Sequence, residues 1–459
     1  MSLMRCQSVV MVALVLFFFE FCLSAITLWG SSFGWHDQQR IAQLCLIIVC
    51  SLSVVFLPQT TFSYKLQMPL VGLFILGFVS VLAAQWPTWA VQEWAHYLGL
   101  ALLVFTVYGL AQEVWRREFI LWALALVGGV HAFQFLVLYS AAFISGVRLL
   151  DANLLFGGFS NPRFFGQFQI LLLPVLALLL MQCWQRQSRK VGVLLLLVMI
   201  VQWCVAIILG GRGLWLGVLL SHVSLVLVNR KFWRLLALQT MAATLGFSFY
   251  SLLFKLIPYW LGLEPILRDE IRTGLSGREL LWQWAWDMAL ANPWLGAGPM
   301  HFAATYNPIA AHPHQVILQW LAEWGFPATV LALVLGAWGV VKGAAFLRSS
   351  KAAVLDGGLW CAIVGALVLA QVDGVFVMPY TETWLAILIG LAMARCHSVP
   401  LIHSRRRVFY LIAVIPVVLV LGQALILQAP ALPASERAYM MQYGADWAPR
   451  FWQQGWISR

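Results

Sequence analysis

The sequence predicts an all-α polytopic membrane protein, and three observations predict it. The 459 residues are 62% hydrophobic and only 10% charged. A soluble domain is about 45–50% apolar and about 25% charged. Apolar runs that reach or approach the ~17–25 residues of a membrane span lie at 8–30, 41–57, 68–85, 96–112, 119–146, 164–183, 191–209, 213–228, 235–257, 316–341, 359–377, 382–395 and 408–427. The short connections between them hold most of the charge. About 12 to 13 transmembrane helices follow.

The first run could be a secretory signal, with Arg5 as basic flank and "LSA" (23–25) as a weak cleavage site. It exceeds the 7–15 apolar residues of such a signal and reads as the first membrane helix. The run at 382–395 is the shortest. With the N-terminus inside, the inner loops carry Arg5, Lys65, Arg116, Arg117, Arg186, Arg189, Lys190, Arg230, Lys231, Arg234, Lys342, Arg348, Lys351, Arg395, Arg405, Arg406 and Arg407. Basic residues in short loops set orientation, so the expected topology is N-terminus in the cytoplasm and C-terminus out. The net charge of +11 resides in these loops, which excludes a nucleic-acid stripe and leaves membrane lipids as the surroundings. The 24 Trp suit interfacial belts and carbohydrate-stacking surfaces.

Two outer segments are long. One is the loop 258–315, expected to contain short helices. The other is the tail 428–459, ending "APRFWQQGWISR". The expected organisation is one helical bundle over 1–427, with function in the long loop, followed by the tail. The eight cysteines fall in spans or near the inner face, with no C-x-x-C spacing, so neither a disulfide framework nor a zinc site is expected. No phosphate-binding loop, dinucleotide fingerprint or transporter-like repeat is present. Neither metal nor cofactor is expected.

Four stretches carry candidate chemistry. In "HPHQVILQWLAEWG" (312–325), Pro313 suits a first helical position. That predicts a helix from Pro313, with His312 flanking it and His314 in its first turn. A helix N-terminus favours a neutral imidazole and a nearby anion. Gln315, Gln319 and Glu323 then form one polar stripe. Taken alone, this is equally an interfacial histidine on a helix packed against polar partners.

In "TGLSGRELLWQWAWDMALANPWLGAGPMHF" (273–302), Ser276 and Glu279 have capping-box spacing and Arg278 falls in the first turn of a Trp-rich helix ending at Asn292-Pro293. "GGRG" (210–213) puts Arg212 at an outer hairpin. "GGFSNPRFFGQFQ" (157–169) puts Arg163 at another outer helix start, with Gln167 one turn deeper. Singly, each arginine is an interface anchor. Together they suit phosphate oxygens, and a lipid-linked pyrophosphate is the class of ligand they fit. The outer acids, Asp373 among them, look scattered, so arginine rather than Mg²⁺ is expected to take leaving-group charge.

The stretch "SGRELLWQWAWDMALANPWLGAGPMHF … HPHQVILQWLAEWGFPATVLAL" resembles the core signature of the O-antigen ligase and polymerase superfamily, which includes O-linked oligosaccharyltransferases. The pattern is an arginine helix, N-P-x-x-G-x-G, H-x-H-[N/Q] and E-x-G. "NPRFF" and "PRFWQQGW" look most like the pilin-glycosylating branch. The resemblance implies inverting, metal-independent transfer of a glycan from undecaprenyl diphosphate to a hydroxyl of a periplasmic protein, with the site facing the periplasm across the bacterial inner membrane. It implies His314 as catalytic histidine and Arg212 and Arg278 as donor-phosphate arginines, with Arg163 beside them. Glu323 would orient the site or serve as a second base. Gln315 stands where Asn is commoner, and the outer loop is shorter than in large-loop ligases. Alternatives are ligation to lipid A core, polymerisation of O-antigen, and transport of the lipid-linked glycan. A transporter would place its ionisable groups near mid-membrane.

Overall fold

The computed structural model describes residues 2–29, 33–56, 64–146, 149–151, 154–266, 277–396, 407–444 and 447–457. A helix stands at each of the expected spans: α1 (Ser2–Leu23), α2 (Trp35–Phe56), α3 (Tyr64–Ala83), α4 (Pro87–Leu110), α5 (Val114–Ile144), α6 (Pro162–Gln185), α7 (Arg189–Ile208), α8 (Arg212–Val228) and α9 (Trp233–Ser251). After the short α10 (Ile257–Leu261) and the Trp-rich α11 (Arg278–Ala291) come α12 (Val316–Leu347), α13 (Val354–Leu369), α14 (Pro379–Cys396), α15 (Arg407–Gln423) and α16 (Leu432–Tyr443). Among the described residues, eight helical stretches are long and apolar enough to cross a membrane.

The structure departs from the expected outline in three places. Residues Leu149–Asp151 (β1) and Glu264–Ile266 (β2) form a short parallel ladder between two loops, where no strand was expected. The span expected to reach 377 ends at Leu369, so Asp373 lies in a loop. The helical path of α15 runs on through a π-turn at Ala424–Gln428 and a 3-10 turn into α16, past the expected start of the tail at 428.

Helix α6 is the buried centre of the bundle. Helix α13 packs on both α6 and α8 through small residues. A Cβ added to Gly217 of α8 would lie 3.0 Å from the Gly365 carbonyl oxygen of α13 and 2.9 Å from Ile170 of α6. That close approach brings the first turns of α6 and α8 beside the loop that follows α13. The basic short loops gather at the opposite end. There Arg395 Nε bonds Asp356 at 2.7 Å and Lys231 Nζ donates to the Ala352 carbonyl at 2.9 Å.

The site end is closed by a buried polar network. Arg40 bonds Glu382 at 2.6 Å, and Gln43 and His96 reach the same carboxylate oxygen at 2.8 and 3.1 Å. A buried ion pair is kept intact by its geometry: removing one partner alone costs about 3–5 kcal/mol.

Candidate active site

Helix α12 is two helices joined at a break. Gly325 has φ 78° and ψ 172°, outside any helical region. The break frees the carbonyls of Ala322 and Glu323, and the loop of N-P-x-x-G-x-G supplies their donors. Ala297 N–H donates to Ala322 and Gly298 N–H to Glu323, at 2.8 and 3.1 Å. Phe326 N–H donates back to Pro293 at 2.8 Å. The backbones touch so closely that both sides need glycine. A Cβ on Gly296 would lie 2.4 Å from the Glu323 carbonyl carbon, and one on Gly325 would lie 2.5 Å from the Trp294 carbonyl oxygen. The two halves of the motif are therefore structural partners that fix the short first half of α12.

That half begins at Val316, not at Pro313. Gln315 is the N-cap, and its side chain accepts from Leu318 N–H. His314 precedes the helix, with φ 55°. The left-handed region is uncommon for a non-glycine residue, and such backbone concentrates at functional sites. The bend is held from several sides. His314 N–H donates to His312 Nδ1 at 3.3 Å, Trp282 of α11 donates to the Pro313 carbonyl at 3.1 Å, and Val316 N–H donates to the Ala370 carbonyl at 3.0 Å. His312 is buried under the His314 ring, with centroids 4.0 Å apart. Burial, then the positive field of His314, Arg450, His36 and Arg278, pushes His312 well below the usual imidazole range and keeps it a neutral acceptor.

The bend delivers His314 to Asp373. Nδ1 lies 3.4 Å from Asp373 Oδ1, long for a hydrogen bond and within ion-pair range. Catalytic contacts in unliganded sites are often this loose. The same Oδ1 accepts from Gln167 at 2.9 Å and from Gly374 N–H at 2.8 Å. Burial works to raise the Asp373 carboxyl. The hydrogen bond and charge of His314, the Gly374 N–H and Arg278 outweigh it and hold Asp373 below the ordinary carboxylate range.

The arginines gather on the same side. Each stands in the first turn of a helix, after a sharp corner. Asn161 caps α6 and accepts from Arg163 N–H at 2.9 Å, Gly210 (φ 63°) precedes Arg212 of α8, and Gly277 (φ 77°) is the N-cap of α11 before Arg278. Ser276 of the expected capping box lies outside the described residues, and Gly277 offers no side-chain cap. Burial chiefly, and the charges of Arg163 and Arg212, lower Arg278 from the ordinary guanidinium range against the pull of Asp373 and Glu279. Three guanidiniums and Asp373 thus share one field, and the Arg278 Nε is buried without a hydrogen-bond partner among the described residues.

With this geometry in place, residues 194–333 match the family model described as O-antigen ligase. This part of the chain is similar to the O-antigen ligase family. The matched segment holds Arg212, Arg278 and His314, and the activity it supports is ligase-type glycan transfer from a lipid-linked donor to an acceptor. Arg163 and Asp373 stand outside the ligase match and join it through space. A search of curated proteins gives no match.

Most of the expected ligase residues converge. His314, His312, Gln167, Arg163, Arg212 and Arg278 form one group. Gln315 caps α12 and reaches Gln371 at 3.3 Å, and Gln319 is buried one turn on. Glu323 stands apart. It is 0% exposed, with one oxygen accepting from Phe302 N–H at 3.1 Å and the other from Arg450 at 2.6 Å. Both oxygens are committed, to the Phe302 N–H and to Arg450. The sequence shows Asp373 only as one of several scattered outer acids, and it gives no sign of Arg450, whose partners Glu323 and Glu93 lie 127 and 357 residues away.

Proposed function

We propose that this chain transfers a glycan from undecaprenyl diphosphate to a Ser or Thr hydroxyl of a periplasmic protein of the pilin type, by a metal-independent, inverting displacement. The observation that carries the reading is His314 against Asp373 beside the field of Arg163, Arg212 and Arg278. Nδ1–H turned to Asp373 leaves Nε2 of His314 free to accept a proton. The acceptor oxygen attacks the anomeric carbon from the face opposite the diphosphate. A new C–O bond forms, the bond to the diphosphate breaks, and the hydroxyl proton passes to His314. The departing diphosphate keeps the electron pair, and Arg212 and Arg278 stabilise its charge, with Arg163 beside them. Asp373 stabilises the imidazolium and fixes its tautomer, as the carboxylate of a catalytic triad does.

The chemistry sits at one end of the bundle, away from the basic loops, which supports an enzyme over a transporter. The positive-inside rule supports an inner-membrane protein with its N-terminus in the cytoplasm and the site on the periplasmic face. The resemblance of "NPRFF" to the pilin-glycosylating branch supports the pilin acceptor, and its Arg163 adds to the positive field at Arg278. The description of the matched family favours a second reading, ligation onto lipid A core.

Expression with a pilin in an O-antigen-producing host is expected to raise the pilin mass by one glycan repeat unit. Unmodified pilin together with capped lipopolysaccharide in a ligase-deficient host overturns the pilin acceptor and selects the second reading. His314→Ala is expected to lower transfer by about 10²–10⁴-fold, the range of general-base help. Full transfer by that variant in membranes overturns the mechanism.

A further inference from the structure

The last described residues of the chain are built into the site end of the bundle. Residues 448–457 form a strap, and Arg450 is 1% exposed. One of its terminal nitrogens bonds Glu323 at 2.6 Å and Glu93 at 2.8 Å. Burial opposes its charge, and Glu323 and Glu93 overturn that and hold it fully ionised. Through Glu323 it braces Phe302 N–H. The far end of the strap grips the same segment. Ile457 N–H donates to the Ala303 carbonyl at 3.2 Å, and Gly455 packs against Ala311. Residues 302–311 run directly into His312-Pro313-His314.

The strap also grips the other half of the dyad. Arg40 donates from Nε to the Phe451 carbonyl at 3.0 Å. Its second terminal nitrogen bridges the carbonyls of Arg450 and Val377, at 3.2 and 2.7 Å. Val377 closes the loop that carries Asp373. One segment of chain is thus tied to the backbone on both sides of the His314–Asp373 contact. That contact is itself long, so it is sensitive to small shifts of either side.

We infer that the C-terminal strap sets the separation of His314 and Asp373, with Arg450 as its positioning residue. The inference rests on the transfer reading above. A displacement of about 1 Å at a reacting group can lower a rate about 10²-fold. Arg450 acts through Glu323 and the strap backbone and touches no reacting atom.

The test is Arg450→Lys in the full-length protein, assayed for glycan transfer. Lysine keeps the charge and loses the planar fork. The expected result is kcat lower by about ten- to a hundredfold with donor KM unchanged, because the arginine group is untouched. Unchanged kcat, or a fall in transfer carried by a raised donor KM, overturns the inference. If Arg450→Lys does not fold, Gly455→Ala carries the same readouts. Gly455 has φ 84°, and an added Cβ would lie 1.7 Å from the Ala448 carbonyl oxygen, so this variant loosens the strap and keeps every buried charge paired. His314→Ala run alongside separates the two readings: transfer surviving that change defeats the mechanism, not the strap alone.

Discussion

The two halves of α12 share one helix and obey different rules. Before Gly325, Gln319, Glu323 and Trp324 are buried, and the carbonyls of Ala322 and Glu323 accept from a loop instead of from their own helix. After Gly325, Val330, Leu333, Val334 and Val341 are exposed, as in a helix whose partner is lipid. Gly336 and Gly339 face open space, where an added Cβ meets nothing within 4 Å. The first half is specified contact by contact, and His314 stands immediately before it. The second half is specified by apolar length alone.

The largest effect is expected from breaking the first half at its tightest point. Gly296→Val adds a Cβ 2.4 Å from the Glu323 carbonyl carbon, at φ 69°. The obstacle is backbone and cannot rotate aside. The variant is expected to yield no monodisperse folded protein in detergent, read by size-exclusion chromatography. A folded, active Gly296→Val protein would show that the loop does not lock the helix break.

The next effect is chemical. Asp373→Asn keeps shape and removes charge. Transfer is expected to fall by about 10²-fold or more, with the protein still folded. The stability effect has a defined sign. A carboxyl held below its ordinary range stabilises the fold above its unfolded pKa, about 3.9, and loses that contribution as pH falls through its folded value. The Tm of the wild type is therefore expected to exceed that of Asp373→Asn by a constant margin from neutral pH down to about 4, and the margin to shrink below that. A margin that vanished between pH 8 and 6 would mean that Asp373 does not hold the charge assigned to it.

The same contrast explains what could be read in the sequence. Every span was legible, because apolar length is written locally. His314 and the three arginines stand out in the sequence because each sits in a short motif with a glycine, asparagine or proline corner. The helix start was misplaced by three residues: Pro313 suits a first turn, but Gln315 wins the cap by bonding Leu318 N–H. Asp373 was visible as an outer acid but not as a neighbour of His314, because its partners, Gln167 and His314, lie on other elements. Arg450 was hidden for the same reason, with Glu93 357 residues away. Glu323 was legible as polar in an apolar run, but its role was not, since only the fold shows that both its oxygens are occupied.

The smallest effect sharpens the comparison from the other side. Gly336→Ala and Gly339→Ala alter the second half where space is free and the backbone is helical. Alanine restricts the unfolded chain and favours the helix by about 0.5–1 kcal/mol over glycine at such a position. Each variant is therefore expected to raise Tm slightly in detergent and to leave kcat and donor KM at wild-type values. The first half offers no such tolerance, because Gly296 and Gly325 have positive φ and backbone against them. A tenfold loss of transfer from Gly339→Ala would mean that the open face of the second half is occupied during the reaction. The polyprenyl tail of the donor would be the apolar group of a length to fill it, and the division of α12 into a working half and an anchoring half would then fail.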